Sequence, residues 1–199
     1  MEFLQKISNQ FSNINIQEKS LFIAFLISFI LGFIVIPILK KLKIGQVVRD
    51  DGPQSHLKKK GTPTMGGIII LISIMIVSFV IGNKYPKIMP MAFVTLAYGF
   101  VGFIDDFKKL ILKNPKGLSP SLKMIGLFII SLIFSLYVVN NYFDANPTET
   151  YIPILKEYIN LPIYLYIPFI IFVMLACTNS LNLTDGLDGL AGGVTAIIM

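Results

Sequence analysis

The sequence predicts an all-α fold, a polytopic bundle of membrane-spanning helices, from two observations: charge is scarce, and the apolar residues come in blocks. Of 199 residues, 54% are hydrophobic and 14% charged, and the mean hydropathy is +0.74. A soluble domain usually carries about 25% charged residues. The apolar residues form runs nearly free of charge at about residues 21–39, 65–82, 88–104, 122–140 and 161–182. A helix crosses a bilayer with roughly 17–25 such residues, and the third and fourth runs reach that length with their polar flanks. Another apolar stretch starts at residue 189 and reaches 199, about half a span. The expectation is a single incomplete transmembrane domain over residues 1–199, with five spans and the start of a sixth, truncated from a longer protein.

Residues 1–20 are polar and lack the apolar core of a cleavable signal. Phe3, Leu4, Ile7, Phe11 and Ile14 recur at helical spacing, as in a short helix lying on the interface. One cysteine, Cys177, and one histidine, His56, are too few for a Cys/His zinc cage. Cys177 is expected to be a packed thiol within the fifth span.

Basic residues set the orientation. Lys40, Lys41, Lys43, Arg49, Lys58, Lys59 and Lys60 lie between the first two runs, and Lys108, Lys109, Lys113 and Lys116 between the third and fourth, with Lys123 at the edge of the fourth. Together they make up most of the chain's 17 lysines and arginines. The positive-inside bias then puts the N-terminus outside and both basic loops in the cytoplasm. The net charge of +6 follows largely from this, with attraction to anionic membrane lipids as an added use. No basic helix, zinc finger or aromatic RNA-binding pattern points to a nucleic acid.

Three elements on that face could carry chemistry. Asp105 and Asp106 close the third run, pointing about 100° apart on a helix, so one could ligate a cation while the other takes a proton or a hydrogen bond. The structural alternative is a charged helix end paired with the following lysines. Asn179, Asn182, Asp185 and Asp188 step by three, and the last shares a face with the others only if the helix opens near Gly186. Their oxygens are hard ligands of the kind Mg²⁺ prefers, and the spacing is not that of an EF-hand. The segment from Arg49 to Gly67 offers Lys59, Thr62 and Thr64 among glycines, a composition suited to phosphate oxygens but not a Walker loop. Lys123, opening the fourth span, either neutralises an anion or extends to the interface.

Phe103-Ile-Asp105-Asp106, Asn179-Ser-Leu-Asn182-Leu-Thr-Asp185-Gly-Leu-Asp188-Gly and Pro63-Thr64-Met-Gly66-Gly67 together resemble the polyprenyl-phosphate N-acetylhexosamine-1-phosphate transferase superfamily. The fuller string from Asp51 through His56 and Lys59 to Gly67 resembles its phospho-N-acetylmuramoyl-pentapeptide transferase branch. The resemblance implies a bacterial inner-membrane enzyme with about ten spans of the usual length and a cytoplasmic active site. That enzyme transfers phospho-MurNAc-pentapeptide from UDP-MurNAc-pentapeptide to undecaprenyl phosphate, giving lipid I and UMP for peptidoglycan and cell-wall synthesis. It also implies a Mg²⁺ cofactor and admits a homodimer. By motif match, Asp105 and Asp106 are catalytic and metal-binding, while Lys59, Thr64, Lys123, Asn182, Asp185 and Asp188 surround the substrate. Leu127 stands where the family has Gln, and the family's main metal-binding Asp and histidine-rich loop fall beyond residue 199, so these residues alone are expected to be inactive. Two readings compete: a UDP-GlcNAc:undecaprenyl-phosphate transferase, which the string from Asp51 to Lys59 disfavours, and an ion-coupled transporter. A transporter should hold its carboxylates near mid-bilayer rather than at span ends.

Overall fold

The computed structural model describes residues 15–41, 64–110, 117–141, 146–185 and 189–198. The expected N-terminal interfacial helix, His56, Lys59, Gly186 and Asp188 lie outside the described residues. In chain order the elements are α1 (Ile16–Lys41), α2 (Gly67–Gly82), α3 (Ile88–Leu110), α4 (Pro120–Asn141), β1 (Glu149–Ile152), β2 (Glu157–Asn160), α5 (Ile163–Thr184) and α6 (Leu190–Ile198). Helices α1, α3, α4 and α5, of 26, 23, 22 and 22 residues, are long and apolar enough to cross a membrane. At 1.5 Å per residue each is at least about 33 Å long, against a hydrocarbon core of about 30 Å. Helix α2, with 16 residues, reaches only about 24 Å.

The exterior is that of a chain solvated by lipid. Phe29, Phe33, Phe79, Ile133 and Phe172 are all exposed, whereas the buried set is small and includes Ser73, Ser78, Ser131 and Ser135. Hydrocarbon offers no hydrogen bonds, so hydroxyl groups must find acceptors within the chain. Ser73 donates to the Ile69 carbonyl and Ser131 to that of Leu127, each at 2.8 Å. Thr95 and Thr178 bond to Met91 and Met174 in the same way. Pro37 within α1 removes one backbone donor, a loss that membrane helices tolerate where neighbouring groups satisfy the freed carbonyl.

The chain forms two units, residues 1–120 and 121–199. In the first, α2 packs on both α1 and α3, and a short turn through Lys84 and Tyr85 makes α2 and α3 antiparallel neighbours. Close approach depends on Gly99 of α3: a Cβ there would run into Leu71 Cδ1 of α2 and lie 2.9 Å from Cδ2. Small residues at helix contacts are the usual means of packing without a hydrophobic driving force. In the second unit, α4 carries the buried row Leu127, Ser131 and Ser135, one turn apart.

Two features differ from the sequence-based expectation. Between α4 and α5 stands an antiparallel hairpin, pairing Glu149 with Asn160 and Tyr151 with Tyr158. Its strands are only four residues long, too short for alternation to be read against the neighbouring apolar runs. Cys177 is exposed rather than packed: it lies six residues beyond Ile171, the buried residue of α5, which places it about 120° around the helix.

Gly99→Leu should lower the midpoint of thermal unfolding in detergent, at a cost of roughly 1–3 kcal/mol from overpacking. Gly102→Ala, on the same helix with nothing within 4 Å, should leave the midpoint unchanged or raise it. Equal midpoints for the two variants would contradict this packing.

Candidate functional site

Helix α3 continues past its apolar run to Leu110, so Asp105 and Asp106 stand inside its last two turns. Their environments diverge. Asp105 has a side chain only 12% exposed, and its Oδ2 accepts a 2.6 Å bond from Lys109 Nζ one turn on. Its Oδ1 accepts the backbone N–H of Leu118 at 2.7 Å. Gly117, just before, has φ +64°, and a Cβ there would collide with Asp105 Oδ1 and sit 2.6 Å from Lys109 Cε. Only glycine allows this left-handed backbone to lie against the carboxylate. Asp105 thus ties the end of α3 to the segment leading into α4. The pairing with a following lysine that the structural alternative expects is present here, and Asp106 shares that lysine.

Asp106 points elsewhere. Its side chain is 41% exposed, with Oδ1 3.9 Å from Lys109 Nζ. Lys109 therefore stands beside both carboxylates. Neither Lys109 nor Gly117 was among the anticipated site residues, although an Asp–Lys pair four apart on a helix is a readable signal.

Thr64 precedes α2, and its Oγ1 is buried without a hydrogen-bond partner. Leaving a buried polar atom unsatisfied costs about 1–3 kcal/mol. The backbone turns sharply here: Met65 has φ +66°, which is uncommon for a residue with a side chain.

In the second unit, the start of α4 meets the end of α5. Lys123 Nζ points at Asn182 Oδ1 at 3.4 Å, and Asn179 Nδ2 lies 3.6 Å from Met124 Sδ while donating to the Leu175 carbonyl at 2.8 Å. Helix α5 stops at Thr184, with Asp185 as its C-terminal cap at φ −78°, ψ 41°. The backbone therefore leaves helical geometry at Asp185. Asp185 is exposed. Leu127, in place of the family's Gln, is 2% exposed and serves packing.

Among the described residues, no three His, Cys, Asp or Glu side chains gather as a metal cage. The donor chemistry still fits one hard cation. Asp106 is accessible, and an ion such as Mg²⁺ binds through one or two carboxylates while keeping waters or substrate phosphates. Asp105, with both oxygens engaged, is better suited to holding the backbone.

The profile of glycosyl transferase family 4 matches residues 88–199. Signature 1 of the phospho-N-acetylmuramoyl-pentapeptide-transferases matches residues 59–71. Proteins named phospho-N-acetylmuramoyl-pentapeptide-transferase are 47% identical over 90% of the chain in Caldicellulosiruptor bescii, 48% over 89% in Thermoanaerobacter sp. and 47% over 90% in Clostridium novyi. These alignments cover 54%, 54% and 55% of the relatives, so the chain spans about half their length.

Gly117→Ala should destabilise the protein by roughly 1–3 kcal/mol, the cost of a side chain in this backbone region, and should displace the Leu118 N–H from Asp105. Gly193→Ala, with nothing within 4 Å, is the matched control. Indistinguishable thermal unfolding of the two variants in detergent would show that the clamp contributes nothing.

Proposed function

Because the chain belongs to glycosyl transferase family 4 and is part of a multi-pass membrane protein, we propose that the whole protein makes lipid I. It transfers phospho-MurNAc-pentapeptide from the UDP carrier to undecaprenyl phosphate and releases UMP. The signature at residues 59–71 and relatives at 47–48% identity support this donor over UDP-GlcNAc. The observation that carries the site assignment is the difference between the two acids: Asp105 is buried and accepts the Leu118 N–H, while Asp106 is half-buried, with the more accessible side chain, beside Lys109.

The reaction brings two anions together, so its barrier is largely electrostatic. Asp106 would hold Mg²⁺, which when bound would supply charge neutralisation for the pyrophosphate, while Asp185 and Asp188 are substrate-binding residues in this reading. Lys109, Lys123 and Lys59 add positive charge around the donor, and Asn182 orients Lys123. The buried Thr64 hydroxyl donates to a phosphate oxygen. Asp106 either takes the proton of the lipid phosphate, whose oxygen then attacks the sugar-linked phosphorus, or attacks that phosphorus itself and passes the phospho-sugar on. UMP leaves in both cases. The concentration of lysine and arginine in the two loops supports a cytoplasmic placement of this chemistry.

In the full-length protein, Asp106→Asn should insert normally but lose at least about 100-fold in lipid I formation, the scale of a lost acid–base group. Lys123→Met should raise the KM for the UDP donor more than it lowers kcat. Near-normal lipid I synthesis by Asp106→Asn would remove Asp106 from the chemistry. If unlabelled UDP-GlcNAc competed with the donor as well as UDP-MurNAc-pentapeptide does, the substrate assignment would be wrong.

A further inference from the structure

The β1–β2 hairpin takes no part in the proposed site, since the α4–α5 connection leaves α4 at the end opposite Lys123. We propose that it is a membrane-interface anchor, seating its tip and its tyrosine pair in the lipid headgroup layer of the leaflet where α5 begins.

The hairpin has two unlike faces. Thr150, Ile152 and Ile159 are half-buried, while Tyr151, Tyr158, Glu149 and Asn160 are exposed. Tyr151 and Tyr158 are directly paired, with ring centroids 5.0 Å apart. The Lys156 N–H closes the tip on the Ile152 carbonyl at 2.8 Å, and Lys156 has φ +55°. This turn leaves Ile154 92% and Leu155 60% exposed. Two aliphatic side chains at a tip, with Lys156 and Glu157 beside them and two phenol rings behind, form a surface that is apolar and polar at once. Tyrosine is enriched where bilayer meets water for this reason.

Chain length places the hairpin at that boundary. Only Leu161 and Pro162 separate β2 from α5, a reach of at most about 7 Å. The first turn of α5 exposes Ile163, Tyr164 and Leu165, so the span itself enters lipid through a tyrosine-bearing turn. The hairpin continues that surface. A dry protein–protein contact would leave Lys156, Glu157 and the phenol hydroxyls needing partners, whereas headgroups and their water satisfy them.

A nitroxide attached at Ile154→Cys reports where the tip sits. This exposed position tolerates the change, and the other cysteines, Cys177 included, are replaced. The full-length protein is reconstituted in phosphatidylglycerol–phosphatidylethanolamine vesicles, and label relaxation by oxygen is compared with that by the water-soluble nickel ethylenediaminediacetate. The anchor predicts an oxygen-to-nickel ratio several-fold above that of the dissolved label and below that of a label at exposed Phe172→Cys in α5. A ratio equal to that of the dissolved label would place the tip in water. An immobilised label shielded from both reagents would place it under protein, from another segment or a second copy. Either result would overturn the proposal, and neither depends on which substrate the enzyme takes.

Discussion

A carboxylate near the end of a membrane-spanning helix needs donors close at hand, and Asp105 has two of different kinds. Lys109, one turn further along α3, neutralises its charge at 2.6 Å, while the Leu118 N–H, thirteen residues away, ties it to the next connection. The first contact is local and would exist in an isolated helix. The second is not, and it depends on Gly117 bringing backbone so close that a Cβ would not fit. Burial explains why both are needed: partial removal from water raises the cost of an unpaired charge, and bonds to a charged acceptor are among the stronger ones available. The same contacts differentiate two adjacent and chemically identical acids. Of the two, Asp106 has the more accessible side chain.

The remainder of the described chain obeys a simpler constraint. Aromatic and aliphatic side chains are on the outside, including the row Phe25, Phe29 and Phe33 on α1 and the stacked Phe100, Phe103 and Phe107 on α3. The hydroxyls of Ser73, Thr95, Ser131 and Thr178 are bonded back to their own helix. Such an arrangement would aggregate in water but costs little in lipid, where apolar surface carries no penalty and helix association relies on small residues and polar contacts. Gly99 against Leu71, and the serines of α4, are the local forms of that rule.

The membrane helices are legible in the sequence because an uncharged apolar block of this length fits a bilayer and little else. Their ends are less so: α3 runs through Asp105 and Asp106 rather than stopping before them, because Lys108, Lys109 and Leu110 are good helix formers and Asp105 pairs with Lys109 along the helix. The hairpin is hidden because it is short and tied to a span by two residues. The Asx ladder leaves open, from spacing alone, whether the helix breaks near its last members; α5 ends at Thr184, with Asp185 as its cap. That Asp105 and Asp106 point apart is legible from their adjacency on a helix, but which of them is the buried one is not. That difference arises from Leu118 and Gly117, whose approach to the carboxylate is a tertiary contact that no periodicity encodes.

On the proposed reading, a site built from helix ends suits substrates from two phases. A lipid phosphate is confined to the membrane surface, and a sugar nucleotide arrives from water, so the reacting atoms can meet only at that level. Carboxylates placed near mid-bilayer would force the donor's charges into hydrocarbon, at a high cost. Side chains placed far out on loops would lose the rigidity that orients an in-line displacement. The last turns of a long helix meet both demands: the buried side is fixed by packing, and the outer side is wet. Asp105 and Asp106, one residue apart, occupy the two sides of that boundary.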